Sequence, residues 1–496
     1  MQPMYVLIVI AAYLGMLMLI SYLTSRKGSD NDTFFRANRQ SKWYVVAFAM
    51  IGTSISGVTF ISVPGWVRTI DMTYMQMVFG FFAGYLVIAF ILLPLYYKLN
   101  LTTIYGYLES RFGRNSYKTG AWFFLLSKIV GAAARLYLVA FILQSLVFKA
   151  MGVPFIVTVI GIILIIWLYS YKSGIKTIIW TDWLQTLLFI TALVLIVWQL
   201  ASRMGLDFGG IVTAVRESPH SRIFEFDSWS STQNFFKQFF SGMFITIVMT
   251  GLDQDQMQKN LTCKNLKDAQ KNVISYGFAF APINFLFLSL GVLILLFAQQ
   301  NNIMLPDVAD NILPMIASEY LGSFTLGIFI VGIVAAAFSS ADSALTALTT
   351  SFCVDILDMK NSNGSKEIEK ENIRTRRFTH VVISVVFVAI IMIIHSIGSD
   401  SIINAIYRIA SYTYGPLLGL YMAGLYTKLK PMDKLVPYIA IAAPILCYGL
   451  ELVMINVYNY KMGYEMLLIN GALTVLGLWI ISLRNNNTAP SPTSRL

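Results

Sequence analysis

Apolar runs long enough to cross a bilayer recur along almost the whole chain, and they constrain its fold more than any motif does. A crossing helix needs roughly 20 apolar residues. Such stretches fall near 4–24, 43–67, 73–97, 119–148, 153–171, 178–202, 237–254, 274–299, 324–352, 378–396, 401–427, 435–457 and 463–483. Composition agrees: 57% of the 496 residues are hydrophobic and 12% are charged, against about 45–50% and about 25% in soluble domains. The chain therefore reads as an all-α polytopic membrane protein with thirteen transmembrane helices. The stretches at 119–148 and 324–352 exceed one crossing, so tilt or helical extension is expected there. Cys263, Cys353 and Cys447 lack metal-ligand spacing, and the histidines are His220, His380 and His395 alone, so neither a disulfide framework nor a zinc site is expected.

The net charge of +11 acquires meaning from where it lies. Positive residues concentrate in cytoplasmic connections of membrane proteins. No basic residue precedes the first span, Arg26 and Lys27 come directly after it, and no Ala-x-Ala pattern closes it. It therefore reads as a retained helix with the N-terminus outside. In that orientation the inside connections carry 26 Lys and Arg and the outside ones 7, with Lys128, Arg135 and Arg408 inside spans. The C-terminus is then cytoplasmic, and no nucleic-acid partner is needed to explain the basic charge. The long outside connection 203–236 brings Phe224, Phe226 and Trp229 toward the membrane surface, and 485–496 reads as a disordered cytoplasmic tail.

Polar groups inside apolar spans are costly, so they mark function by default. The second span contains Gly52-Thr53-Ser54-Ile55-Ser56-Gly57 and then Val58-Thr59. A helix broken there frees carbonyls that can bind a cation; close packing of small residues is the other reading. In the ninth span, Ser339 and Ser343 share one helix face with Ser340 beside it. Hydroxyl oxygens are hard ligands suited to a hard monovalent cation, and packing is again the alternative. Asp182, in Trp180-Thr181-Asp182-Trp183, suits either an interfacial charge or a site. Arg135 lies deep in the fourth span and needs a partner, either a structural carboxylate or an anionic substrate held bidentately.

In this order, GTSISGVTFISVPG (52–65), LTTIYGYLESRFG (101–113), WTDWLQ (180–185), DQDQMQK (253–259), AAAFSSADSALTALTTSFCVDIL (335–357) and YGPLLGLYMAG (414–424) resemble the sodium/solute symporter family. The resemblance covers residues 5–460 or so. It implies a LeuT-like core of two five-helix inverted repeats within a single transporter domain, 1–484. Helix 4–24 would precede the core, 43–202 and 237–427 would form the repeats, and two helices in 435–483 would come after it. Breaks in the first helix of the second repeat are expected at Ser241-Gly242 and Gly251.

The same resemblance implies a sodium site built from carbonyls of Gly52, Ile55 and Ala336 and hydroxyls of Ser339 and Ser340, with Na+ as the coupling ion. In the branch that carries sialic acid, a second cation site corresponds here to Asp182, Asp342 and Ser343, beside Ser339. Asp342 stands where that pattern has serine, which leaves the ion count open. Ser54, Ser56 and Thr59, with Tyr74 and Gln76 of the third span, would line the substrate pocket, and Arg135 matches the arginine that holds a carboxylate in that branch. Tyr412 and Tyr414 suit either gate aromatics or helix packing.

The function this implies is sodium-coupled secondary active symport by alternating access in a bacterial inner membrane. The expected solute is a carboxylated sugar such as sialic acid or another organic anion, with a neutral sugar, amino acid or vitamin as the alternative. A transporter-like membrane sensor is the alternative from another class. A membrane enzyme would need a catalytic motif such as HExxH or GxSxG, and the chain has neither. The expected partners are a small solute and the lipid bilayer, with no obligate protein partner.

Overall fold

The computed structural model describes residues 3–25, 31–171, 174–229, 231–359, 366–397, 402–460 and 462–488. The principal helices are α1 (Pro3–Ser25), α2 (Trp43–Ser54), α3 (Gly57–Ile70), α4 (Tyr74–Lys98), α5 (Arg114–Met151), α6 (Phe155–Ser170), α7 (Ile175–Arg203) and α8 (Phe235–Gly251). They continue with α9 (Gln254–Asn260), α10 (Leu266–Gln300), α11 (Gly322–Ile356), α12 (Lys366–Ile397), α13 (Ile402–Tyr426), α14 (Val436–Tyr458) and α15 (Met466–Thr488). Among the described residues no sheet forms; one isolated bridge joins Ser41 to Cys263.

By length and hydropathy, eight helices among the described residues can cross a membrane, or ten if each of two bent pairs is one span; Ile8–Thr24 and Phe155–Ser170 are shorter apolar helices. The expected count of thirteen is not reached on these measures. Burial orders the bundle. The most apolar stretch of α11 is 83% buried, against 28% for α12 and 22% for the segment containing α14. Helix α11 is thus the central post, while the other two turn exposed side chains such as Phe378 and Tyr438 outward, where lipid would cover them.

Two spans are broken, and each break has a local cause. Ile55 and Ser56 adopt extended backbone between α2 and α3, and the chain bends by 59°. The second break comes after a π-helical turn over Ile247–Gly251, and α8 meets α9 at 70°. It falls at Leu252–Asp253, directly after Gly251. Ser241-Gly242 does not break the helix, contrary to expectation. A Cβ on Gly242 would lie 2.2 Å from the Met77 carbonyl oxygen, and one on Gly80 would lie 2.0 Å from that of Phe239. These glycines let the α4 and α8 backbones touch, as small residues do in membrane bundles.

Helix α13 carries Pro416, which removes the donor that would satisfy the Tyr412 carbonyl. Asn470 of α15 replaces it, donating to the carbonyls of Tyr412 at 2.9 Å and Ser411 at 3.0 Å. The expected tail 485–496 is helical as far as Thr488, and 489–496 lies outside the described residues.

One end of the bundle is tied shut by the 101–113 loop. The Ile104 amide donates to Gln254, Tyr421 donates to the Ile104 carbonyl, and Arg111 donates to the carbonyls of Gly424 and Thr427. Buried Asp355 of α11 accepts from Thr103, Tyr117 and Ser351. Nearby, Asp358 pairs with Arg114 and Lys118 at 2.7 Å each. The hydrogen bond from Lys118 is the largest influence holding its carboxyl below the ordinary carboxylate range. The opposite end contains a vestibule of ≈ 560 Å³, walled by residues including Trp66, Arg408, Tyr412 and Tyr464.

Candidate functional site

At the middle of the bundle the first break faces the serine-rich stretch of α11. With Ser56 extended, the carbonyls at the end of α2 lose their regular helical donors. Among the described residues no side chain donates to the carbonyls of Gly52, Thr53, Ser54 or Ile55. The second break differs: Tyr96 donates to the Gly251 carbonyl at 2.8 Å and Tyr105 to that of Leu252 at 3.0 Å. Protein donors satisfy one break and leave the other with oxygens to spare.

Helix α11 packs against this break with further hard ligands. Ser340 donates its proton to the Ala336 carbonyl at 2.9 Å, so its lone pairs are free to accept. Ser339 lies 3.4 Å from the Thr53 hydroxyl and donates to Asp182 Oδ1 at 2.7 Å. A Cβ on Gly52 would sit 2.1 Å from Thr186 Oγ1, a buried oxygen with no hydrogen-bond partner. This oxygen-rich surface has the hard ligands that suit a monovalent cation.

The expected second-site residues are also brought together. Ser343 donates to Asp182 Oδ2 and to Asp342 Oδ1, both at 3.3 Å, and Tyr169 donates to Asp342 at 2.7 Å. One participant was not anticipated. Lys259, wholly buried on α9, ion-pairs with Asp182 at 2.5 Å and donates to the Thr53 hydroxyl. Its signal stood in DQDQMQK, which ends on a lysine inside a segment that is buried throughout.

A cavity of ≈ 90 Å³ lies beside the first break, and Tyr74 belongs to both its wall and that of the vestibule. Of the expected substrate residues, Ser54, Thr59, Tyr74 and Arg135 line it. Ser56 and Gln76 do not. Ser56 is buried as the residue that starts α3. Gln76 is engaged elsewhere: it donates to the Gln233 carbonyl at 2.8 Å and accepts from the Glu225 amide at 2.9 Å, anchoring the 203–236 connection. Phe224 of that connection stacks on Phe79, and Phe224, Phe226 and Trp229 are all exposed.

Helix α5 supplies Lys128, Gly131, Ala132 and Arg135 to the cavity wall, a spacing that places them on one face. Lys128 is neutralised by Asp255 at 2.6 Å and Asp253 at 3.2 Å. Asp253 also caps α9 through the Asp255 and Gln256 amides and accepts from Tyr414 at 2.5 Å. Tyr414 therefore belongs to the cavity. Tyr412 instead joins Glu451, which pairs with Arg408 at 2.8 Å in the vestibule. Among the described residues Arg135 makes no ion pair.

The chain is similar to known proteins in sequence and in fold. A sodium/sialic acid symporter of Aliivibrio fischeri is 27% identical over 427 residues, covering 85% of this chain and 83% of the relative. A sodium/sialic acid symporter of Proteus mirabilis is 24% identical, covering 85% and 84%. The fold matches that of a Na+-coupled sialic acid symporter solved in a substrate-bound, outward-open state, with a TM-score of 0.82 and 23% identity over 98% of each chain. The family description "Sodium:solute symporter family" matches residues 34–430. Together with the two broken helices, a match over most of the chain leads to one conclusion: the chain belongs to the sodium:solute symporter family.

Proposed function

We propose that the protein imports a carboxylated sugar of the sialic acid type together with sodium. Arg135 is the observation that carries the anionic choice: it is a half-buried guanidinium in the cavity wall that makes no ion pair among the described residues. A substrate carboxylate gripped bidentately by this guanidinium gains two charge-assisted hydrogen bonds on binding. The sialic acid substrates of the two relatives point the same way. Sodium is held by the carbonyls of Gly52, Ile55 and Ala336 with the hydroxyls of Ser339 and Ser340. Segments 43–202 and 237–427 act as the repeats, a pairing supported by a bend in the first helix of each. The N-terminus lies outside a bacterial inner membrane, and the 101–113 loop closes the cytoplasmic side while the vestibule opens outward.

Coupling arises from differential affinity. Sodium bridging α2 and α11 stabilises the arrangement that presents Ser54, Thr59 and Arg135 to the solute, so each ligand favours binding of the other. One sodium falling through about 100 mV releases roughly 2.3 kcal/mol. A tenfold gradient adds about 1.4 kcal/mol. For a solute carrying one negative charge, the voltage contribution of a single sodium cancels, leaving about tenfold accumulation per tenfold gradient.

The test is the thermal stability of purified protein with acidic sugars, neutral sugars, amino acids and vitamins, each in sodium and in potassium. Specific ligands stabilise by mass action. Sialic acid should raise the melting temperature in sodium only. Equal shifts in both salts, or a shift confined to neutral solutes, would contradict the proposal.

A further inference from the structure

The region expected to hold a second cation already contains one. Lys259 Nζ sits 2.5 Å from Asp182 Oδ2 and donates to the Thr53 hydroxyl, with side-chain exposure of zero on both charged partners. Asp182 completes its shell with hydroxyl donors: Ser339 at 2.7 Å, Thr53 at 3.1 Å and Ser343 at 3.3 Å. A carboxylate ringed by hydroxyls is the oxygen set a sodium ion would use, and here the ammonium lies against the carboxylate.

The lysine is held there by its own element. Asp253 caps the seven-residue α9, Gln254 bonds the 102–104 backbone, Gln258 reaches the Phe35 carbonyl and Thr350, and Asn260 accepts from Asn272. All seven residues of α9 are buried. With its polar side chains anchored on several sides, α9 fixes the Cα of Lys259 relative to Asp182. Two cations sharing one buried carboxylate repel strongly at low dielectric, so ammonium and sodium exclude one another.

We propose that Lys259 is a tethered cation that fills the Asp182 site, so that the protein binds and carries one sodium rather than two. The inference rests on the sodium site proposed at Gly52, Ile55, Ala336, Ser339 and Ser340, and it makes Lys259 the residue that sets ion stoichiometry. With a solute bearing one negative charge, the transported complex is electrically neutral.

The experiment is equilibrium binding of radioactive sodium to purified full-length protein, without solute, beside transport in proteoliposomes at imposed potentials. Wild type should saturate at one sodium per chain, and sialic acid uptake should be insensitive to potential. Lys259→Ala exposes Asp182 and should bind two sodium ions, with uptake becoming driven by an inside-negative potential. Lys259→Met combined with Asp182→Asn removes both charges and should return the count to one. If Lys259→Ala is unstable in potassium, added sodium should restore its melting temperature; failure to restore it overturns the inference. So does a count of one in that variant. Two sodium ions on wild type also overturn it, while leaving the Ser339 and Ser340 site standing. No sodium on wild type overturns that site and the inference with it.

Discussion

At the scale of single residues, the proposed site assigns sodium to hydroxyl oxygens and the solute to one guanidinium. Ser340→Ala removes an oxygen that has already given its proton to Ala336. The fold should survive while the sodium concentration for half-maximal uptake rises about tenfold, equivalent to about 1.4 kcal/mol. An unchanged sodium dependence would remove Ser340 from the site. Arg135→Lys keeps the charge but not the fork, and Arg135→Ala keeps neither. Affinity for an acidic sugar should fall progressively across the two, whereas binding that survives Arg135→Ala would exclude a carboxylate there. These residues were legible because serines and an arginine within apolar spans stand out. Lys259 was not, because its partner Asp182 lies 77 positions away and no local spacing joins them. The place of Gln76 was not legible for a related reason: its partners lie in the 225–233 backbone, about 150 positions along the chain.

Among elements, the contacts that matter are those that bring backbones together. Gly242→Ala would drive a Cβ into the Met77 carbonyl, an obstacle no rotamer change relieves. The expected cost is about 1–3 kcal/mol, as for overpacking elsewhere, and should appear as a lowered melting temperature. Gly161→Ala in α6 meets nothing within 4 Å and serves as the control. Similar stability for both variants would refute the close α4–α8 approach. Glycines were visible in the sequence, but their meaning was not. Ser241-Gly242 and Gly52 have the same small-residue character, yet the former marks a contact between intact helices and the latter precedes a bend. The residues C-terminal to each glycine make the difference: Ile55 and Ser56 are extended in one case, and the helix simply continues in the other.

For the whole molecule, the charge distribution predicts an arrangement in the membrane that the bundle's two unlike ends make consequential. Reporter fusions at the C-terminus should be active only on the cytoplasmic side; the opposite result would invert both the topology and the sense of transport. Apolar runs and the positive-charge bias were readable from sequence because the bilayer imposes them on every span. The closed end was not readable, since it depends on Asp355, Thr103, Tyr117 and Gln254 converging from four separate segments. Sodium-coupled import is tested most directly by uptake of radiolabelled sialic acid into proteoliposomes under an inward sodium gradient, compared with an equal potassium gradient. Sialic acid should accumulate above the external concentration with sodium, and not at all with potassium. Equal uptake under both gradients, or no uptake with either, would contradict sodium-coupled import of this solute.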